Sequence, residues 1–328
     1  MMSLAISSLS SLLSSISNLT TQKGNLGLLT EQLQTGRKSN NLSDYSVNDA
    51  RQMLDLSSNI TRRQGFQTVA TVVDSRLQIY DQVLTGMESI ATQGISSAML
   101  SANRGTDANN TLAASQIQGY LTQIESDLNQ KLGDRFLFAG SRYATSPVKS
   151  LTTLPVPPTE VAPYVMTDPL IPQYDSEYTA PGDTSAASYV KDSVAVDTTQ
   201  TMTYGISSNQ TGFQQLIMGF RLAYAATQDP GPPYANYAND MATAKDLLSK
   251  GLAAIQAYHT TVSSQSASLQ DTKTLHANII NILTSQVQDI RSVDATETSA
   301  KITALKTQLE ASYSATGIIL SLNLSKYL

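Results

Sequence analysis

LSSLLSSISNLTTQKGNLGLLTEQL, residues Leu9 to Leu33, is a helical seam. Alternating steps of three and four pick out Leu9, Leu12, Ile16, Leu19, Lys23, Leu26, Thr30 and Leu33, and six of these eight heptad positions are apolar. The far end of the chain repeats the rule with Ile302, Leu305, Leu309, Ile319 and Leu322 on one stripe. A lone helix cannot bury such a stripe, so each needs a partner, and the nearest is the other terminus. The expected fold is therefore mainly α: a long antiparallel helical bundle or coiled coil built from both chain ends, with a small β-containing inserted outer domain.

Composition agrees with long helices. The 328 residues are 41% hydrophobic but only 6% aromatic, with no Trp, so the apolar content is mostly Leu, Ile, Val and Ala. A net charge of -5 offers nothing to nucleic acid. Without cysteine there are no disulfides, thiolate metal sites or Cys nucleophiles. The opening MMSLAISSLSSLLSSISNL scatters Ser among its Leu and carries no charge before Lys23, unlike a cleaved secretory signal. No apolar run is long enough to predict a membrane span.

Taken in order, five segments are expected. Residues 1–40 form the N-terminal coiled-coil half of an inner core, weakened by Gly24 and Gly27. Loop chemistry from Gln34 to Ser46 precedes a helical rod over 41–135. Its first helix is capped by Ser46, carries Met53, pauses at Gly65, and stops at Asn103, Arg104 and Gly105. Its second helix spans Asp107 to Leu132 and ends at Gly133. Residues 136–208 form an inserted strand and loop domain: eight of eleven prolines lie from Pro147 to Pro181, and Tyr189 to Tyr204 reads as strand with Val190, Val194 and Val196 inward. Residues 209–291 return to the rod, broken at Asp229 to Pro233. After a hinge at Val293 and Asp294, residues 292–328 supply the C-terminal half of the inner core.

Catalytic chemistry is hard to place. The two histidines, His259 and His276, stand seventeen residues apart without an HExxH pattern and read as surface polar residues. There is no P-loop, dinucleotide fingerprint or GxSxG. The expectation is a non-enzyme without cofactor or metal.

Four segments resemble a known family. LQTGRKSNNLSD, Leu33 to Asp44, is similar to the flagellin-superfamily stretch in which Leu-x-x-Gly leads through Asn to Ser-x-Asp; Gly36, Asn40 and Asp44 match, while Tyr45 replaces a common Asp. DRFLFAGSRYATSPV, Asp134 to Val148, with Phe136, Leu137, Phe138, Ala139 and Gly140, resembles the hook–filament junction family (hook-associated protein 3) more than flagellin. TYGISSNQTGFQQL, Thr203 to Leu216, and LSLNLSKYL, Leu320 to Leu328, resemble the same family. The resemblance covers both ends of the chain well and the inserted domain poorly.

That resemblance implies a structural adaptor of the bacterial flagellum. It would be exported unfolded through the flagellar type III system without a cleaved signal, with the help of an export chaperone. It would assemble outside the cell as a homo-oligomer ring between hook-associated protein 1 and flagellin, its terminal helices ordering as they join. The stripes above, Leu9, Leu12, Ile16, Leu19, Leu26, Leu33, Ile302, Leu305, Leu309, Ile319 and Leu322, would be the assembly interface, with neither nucleic acid nor membrane as partner. A flagellin forming the filament itself is the alternative, and an enzyme or adhesin carried on such a scaffold would need a site in residues 147–204.

Overall fold

The computed structural model describes residues 2–96, 107–148, 150–153, 190–228 and 236–324, with side-chain surroundings described within 13–318. Six helices dominate: α1 (Met2–Thr35), α2 (Val47–Ser96), α3 (Asp107–Leu128), α4 (Thr211–Thr227), α5 (Tyr237–Arg291) and α6 (Ala295–Leu324). Two antiparallel hairpins complete the fold, β1 (Lys131–Leu132) with β2 (Arg135–Phe136), and β3 (Asp192–Ala195) with β4 (Thr201–Tyr204). This is the mainly α architecture with small β elements that the periodicity predicts. The expected helix stop at Asn103 to Gly105, the proline-rich run from Pro155 to Pro181 and the break at Asp229 to Pro233 lie outside the described residues.

The chain divides into two compact units, one made of Met1–Arg62 with Asn278–Leu328 and the other of Arg63–Ala277. In the first, α1 packs along α6, so the two chain ends do partner each other. The facing positions on α6 are Thr298, Ile302, Leu305, Leu309, Ser312 and Thr316, at alternating steps of four and three. Asp294 caps this helix, accepting the amides of Thr296 and Glu297 at 2.8 and 3.0 Å. Ser46 caps α2 as expected, its Oγ accepting the Asp49 amide at 3.1 Å.

The second unit holds the main core. Its apolar side chains come from α2, α3, α4 and α5, including Leu77, Leu84, Ile124, Phe213 and Leu248, all fully buried. Glycines let α4 and α5 approach closely. A Cβ on Gly219 would stand 2.8 Å from Leu248 Cγ, and one on Gly212 would stand 2.7 Å from Ala254 Cβ.

Three local expectations are corrected. Gly65 does not interrupt α2, which runs through it with open space around its Cα. Helix α3 ends at Leu128 rather than Leu132, because Asn129 turns its side chain onto the chain at Val148, donating to that carbonyl at 2.9 Å and accepting its amide at 3.1 Å. The freed residues form the β1–β2 hairpin, whose turn sets Gly133 at φ +62°. Val190 is 50% exposed rather than inward, since it precedes β3; Val196 is buried and Val194 half-buried.

Candidate assembly surface

The site built from the chain ends begins at the turn that closes α1. Gly36 stands just past the last helical residue at φ +67°, a left-handed conformation that ends a helix cheaply only for glycine. Its carbonyl accepts the Val293 amide at 3.1 Å, the Lys38 amide donates to the Arg291 carbonyl at 2.8 Å, and Arg37 bridges to Ser292 in antiparallel register. These backbone bonds tie the exit of α1 to the exit of α5.

The loop beyond is held by its own side chains. Asn40 Nδ2 donates to Glu31 Oε1 at 3.1 Å, and Ser39 Oγ donates to Asp44 Oδ2 at 2.6 Å. Tyr45, the residue that departs from the superfamily pattern, contributes instead of breaking the loop: its hydroxyl donates to the Ser39 carbonyl at 2.7 Å and accepts the Ser39 amide at 3.3 Å. The motif residues Gly36, Asn40 and Asp44 thus fix a corner.

The predicted stripe residues divide. Leu309 is buried, while Ile302, Leu305, Leu19 and Leu26 are half-buried within the first unit. Ile16 and Leu33 face outward at 47% and 39% exposure, because the pairing seam on α1 is rotated toward Gln22 and Leu29. The side chains of Leu9, Leu12, Ile319 and Leu322 lie outside the described residues, as does the family-like ending beyond Leu324. Leu13, Leu28, Tyr313 and Ile318 are also more than half exposed. Within this unit only Met53 and Leu309 are fully buried among the described apolar side chains.

The aromatic motif belongs to the second unit and is a packing element. Leu137, Phe138 and Ala139 are buried and Phe136 is half-buried. The Phe138 ring meets Tyr80 edge-on at 4.9 Å and Phe213 edge-on at 5.9 Å. The Tyr80 hydroxyl donates to the Leu137 carbonyl, and burial pushes that phenol well above its ordinary range. Gly140 follows at φ +60°, turning the chain out of the core.

Both histidines depart from the surface reading. His276 is fully buried, stacked on Phe66 at 5.6 Å, with Nε2 donating to the Val196 carbonyl at 2.8 Å and Nδ1 accepting from Arg63 at 3.1 Å. His259 lies half-buried between Glu88, 2.8 Å from Nδ1, and Asp81, 2.8 Å from Nε2. Spacing alone could not locate either, because their partners stand from 80 to 213 residues away in sequence. Among the described residues no three His, Asp or Glu side chains are grouped to hold a metal ion, and no helix is long and apolar enough to cross a membrane.

No protein-family model and no curated protein matches this sequence. Solved structures do match. A chain assigned as a flagellar hook-associated protein of Vibrio parahaemolyticus superposes with a TM-score of 0.51 at 16% identity, over 76% of this chain and 100% of its own. The fold resembles that of a flagellar hook-associated protein. The Bacillus cereus FlgL structure is a looser likeness, with a TM-score of 0.45 at 13% identity over 73% of this chain and 100% of its own. At these identities the hook-associated likeness speaks to the arrangement of helices and hairpins, and no residue role is transferred by it.

Proposed function

We propose that this chain is a structural subunit of the bacterial flagellum, an adaptor at the junction between hook and filament, and not an enzyme. The observation that carries the reading is the contrast between the two units. Arg63–Ala277 buries a large core, whereas the unit made from the chain ends, among its described residues, leaves Leu13, Ile16, Leu28, Leu42, Leu54 and Ile318 exposed beside two buried apolar side chains, Met53 and Leu309. Exposed apolar surface of that kind marks an interaction site. Each such Leu or Ile contributes about 1.5–3 kcal/mol when fully removed from water.

On this reading the apolar side chains that α1 and α6 leave exposed, Leu13, Ile16, Leu28, Leu33 and Ile318, are buried between neighbouring subunits. The partners are further copies in a ring, hook-associated protein 1 on one side and flagellin on the other, with a flagellar chaperone holding the chain for type III export. Helix ordering costs conformational entropy, and burial of the seams offsets it. The hook-associated fold and the junction-like stretches Phe136–Gly140 and Thr203–Leu216 support the adaptor over a filament subunit.

Deleting the gene tests the proposal. The adaptor role requires hooks without attached filaments and flagellin lost to the medium. Normal filaments in a strain with no paralogue would overturn it, and purified protein that polymerises into long filaments by itself would favour flagellin instead.

A further inference from the structure

Within the second unit, His259 of α5 reaches between two carboxylates of α2 that lie two helical turns apart, Asp81 and Glu88. Both ring nitrogens are 2.8 Å from a carboxylate oxygen, Nδ1 from Glu88 Oε1 and Nε2 from Asp81 Oδ1. A carboxylate only accepts, so both bonds exist together only when both nitrogens carry protons. A neutral imidazole in this place would turn one lone pair toward an oxygen at contact distance. The carboxylates sit at opposite ends of the ring, which also rules out a shared metal ion, because a single ion cannot occupy both sides of an imidazole.

We propose that Asp81, His259 and Glu88 form a pH-dependent clasp between α2 and α5, closed when the imidazole is doubly protonated and opened on the Asp81 side when it is not. The two arms differ in setting. Asp81 is 52% exposed and can exchange the ring for water, while Glu88 is 24% exposed and holds its bond more firmly. From α2 the ionisable groups facing the ring are these two; α5 itself sets none against it, and among the described residues no cation touches it. Lys273 of α5 also pairs with Asp74 of α2, at 3.2 Å. A histidine ordinarily changes charge between about pH 5 and 8, so His259 can switch there.

The sign follows from the partners. The bond to Glu88, aided by that to Asp81, raises the imidazole above its ordinary value. A raised value in the folded state means the clasp contributes fully below about pH 6.5, the ordinary histidine value, and fades as pH climbs through the raised one.

The test uses the full chain. NMR titration of the two imidazoles, with His259 assigned through His259→Gln, should place its midpoint above that of free histidine. Asp81→Asn and Glu88→Gln should each move it back down. Thermal unfolding of the second unit should show a midpoint that rises from about pH 8.5 to about pH 6, and His259→Gln should remove at least half of that rise. A His259 midpoint at or below the free value overturns the clasp, as does an unchanged pH response in His259→Gln. If that variant fails to fold, Asp81→Asn, which leaves the ring in place, takes its role with the same two readings.

Discussion

Gly251 of α5 lies against the backbone of Leu216 in α4, so near that a Cβ on the glycine would stand 2.9 Å from the Leu216 amide nitrogen and 3.0 Å from the Gly212 carbonyl oxygen. Neither atom can move aside as a flexible side chain would. Gly251→Ala gains helix propensity of up to about 1 kcal/mol. The backbone shift it forces costs about 1–3 kcal/mol or more, so the balance is unfavourable. Denaturant unfolding should show the second unit destabilised, whereas Gly65→Ala, with open space around its Cα, should be neutral or stabilising. A stable Gly251→Ala protein would mean that α4 and α5 are not packed this closely.

His276 joins elements distant in sequence: Phe66 and Arg63 of α2 on one side, and the Val196 carbonyl beyond β3 on the other. His276→Ala strands that carbonyl in a buried site, which costs about 1–3 kcal/mol before the lost stacking is added. His276→Gln should recover part of the loss, since a carboxamide can still donate to Val196. The expected readout is lower stability of the second unit and faster amide exchange at Val196, whose N–H donates to the Gln200 carbonyl at 3.0 Å. Unaltered exchange there in His276→Ala would remove the histidine from the set of contacts that hold the hairpin.

These two sites show where the sequence was and was not legible. The helices were readable because a Leu or Ile every three or four residues needs no knowledge of the partner, and the corner was readable because Gly36 and its Asn and Ser neighbours act locally. Leu309 followed from the same periodicity. Gly251 and His276 were not readable, because what makes each irreplaceable arrives from another helix or from a hairpin. Local rules also misplaced the end of α3: a good pattern up to Leu132 lost to the side chain of Asn129 bonding across to Val148. On α1 the heptad seam gave the right helix but not the rotation of its packed face, so Ile16 and Leu33 point away from α6's side of the pair.

Asp127 is nearly buried beside a groove of about 580 Å³ between α2 and α3, where Gln123 Nε2 donates to its Oδ1 at 2.9 Å. Burial raises its carboxyl above the ordinary value. The folded protein therefore holds this proton to higher pH than the unfolded chain does. Its contribution is favourable below the unfolded value near about 3.9 and is lost as pH rises through the folded one. Asp127→Asn keeps an oxygen for Gln123 and removes the desolvated charge. It should raise the melting point of the second unit at neutral pH, with the gain shrinking as pH falls toward about 4. A gain that persists unchanged at acid pH would show that the charge is not its source.

Leu305 and Leu309 stand four apart on one face of α6, half-buried and buried in turn. Replacing both with Asp puts two carboxylates on the side of α6 that meets α1, and a charge left unpaired in a dry interface costs several kcal/mol. Among its described side chains the first unit buries one other apolar residue, Met53, so α1 and α6 should separate, seen as lost helical ellipticity and rapid proteolysis before about residue 33 and after about residue 293. The core of the second unit includes neither residue, and its unfolding transition should keep its midpoint. If the proposed function is right, the variant should be soluble and exported yet fail to attach at the hook, leaving cells without filaments. Normal filaments would show that this face of α6 is not needed for assembly. A lowered second-unit midpoint would show instead that α6 supports the main core, and the two outcomes are separated by measuring both in the same variant.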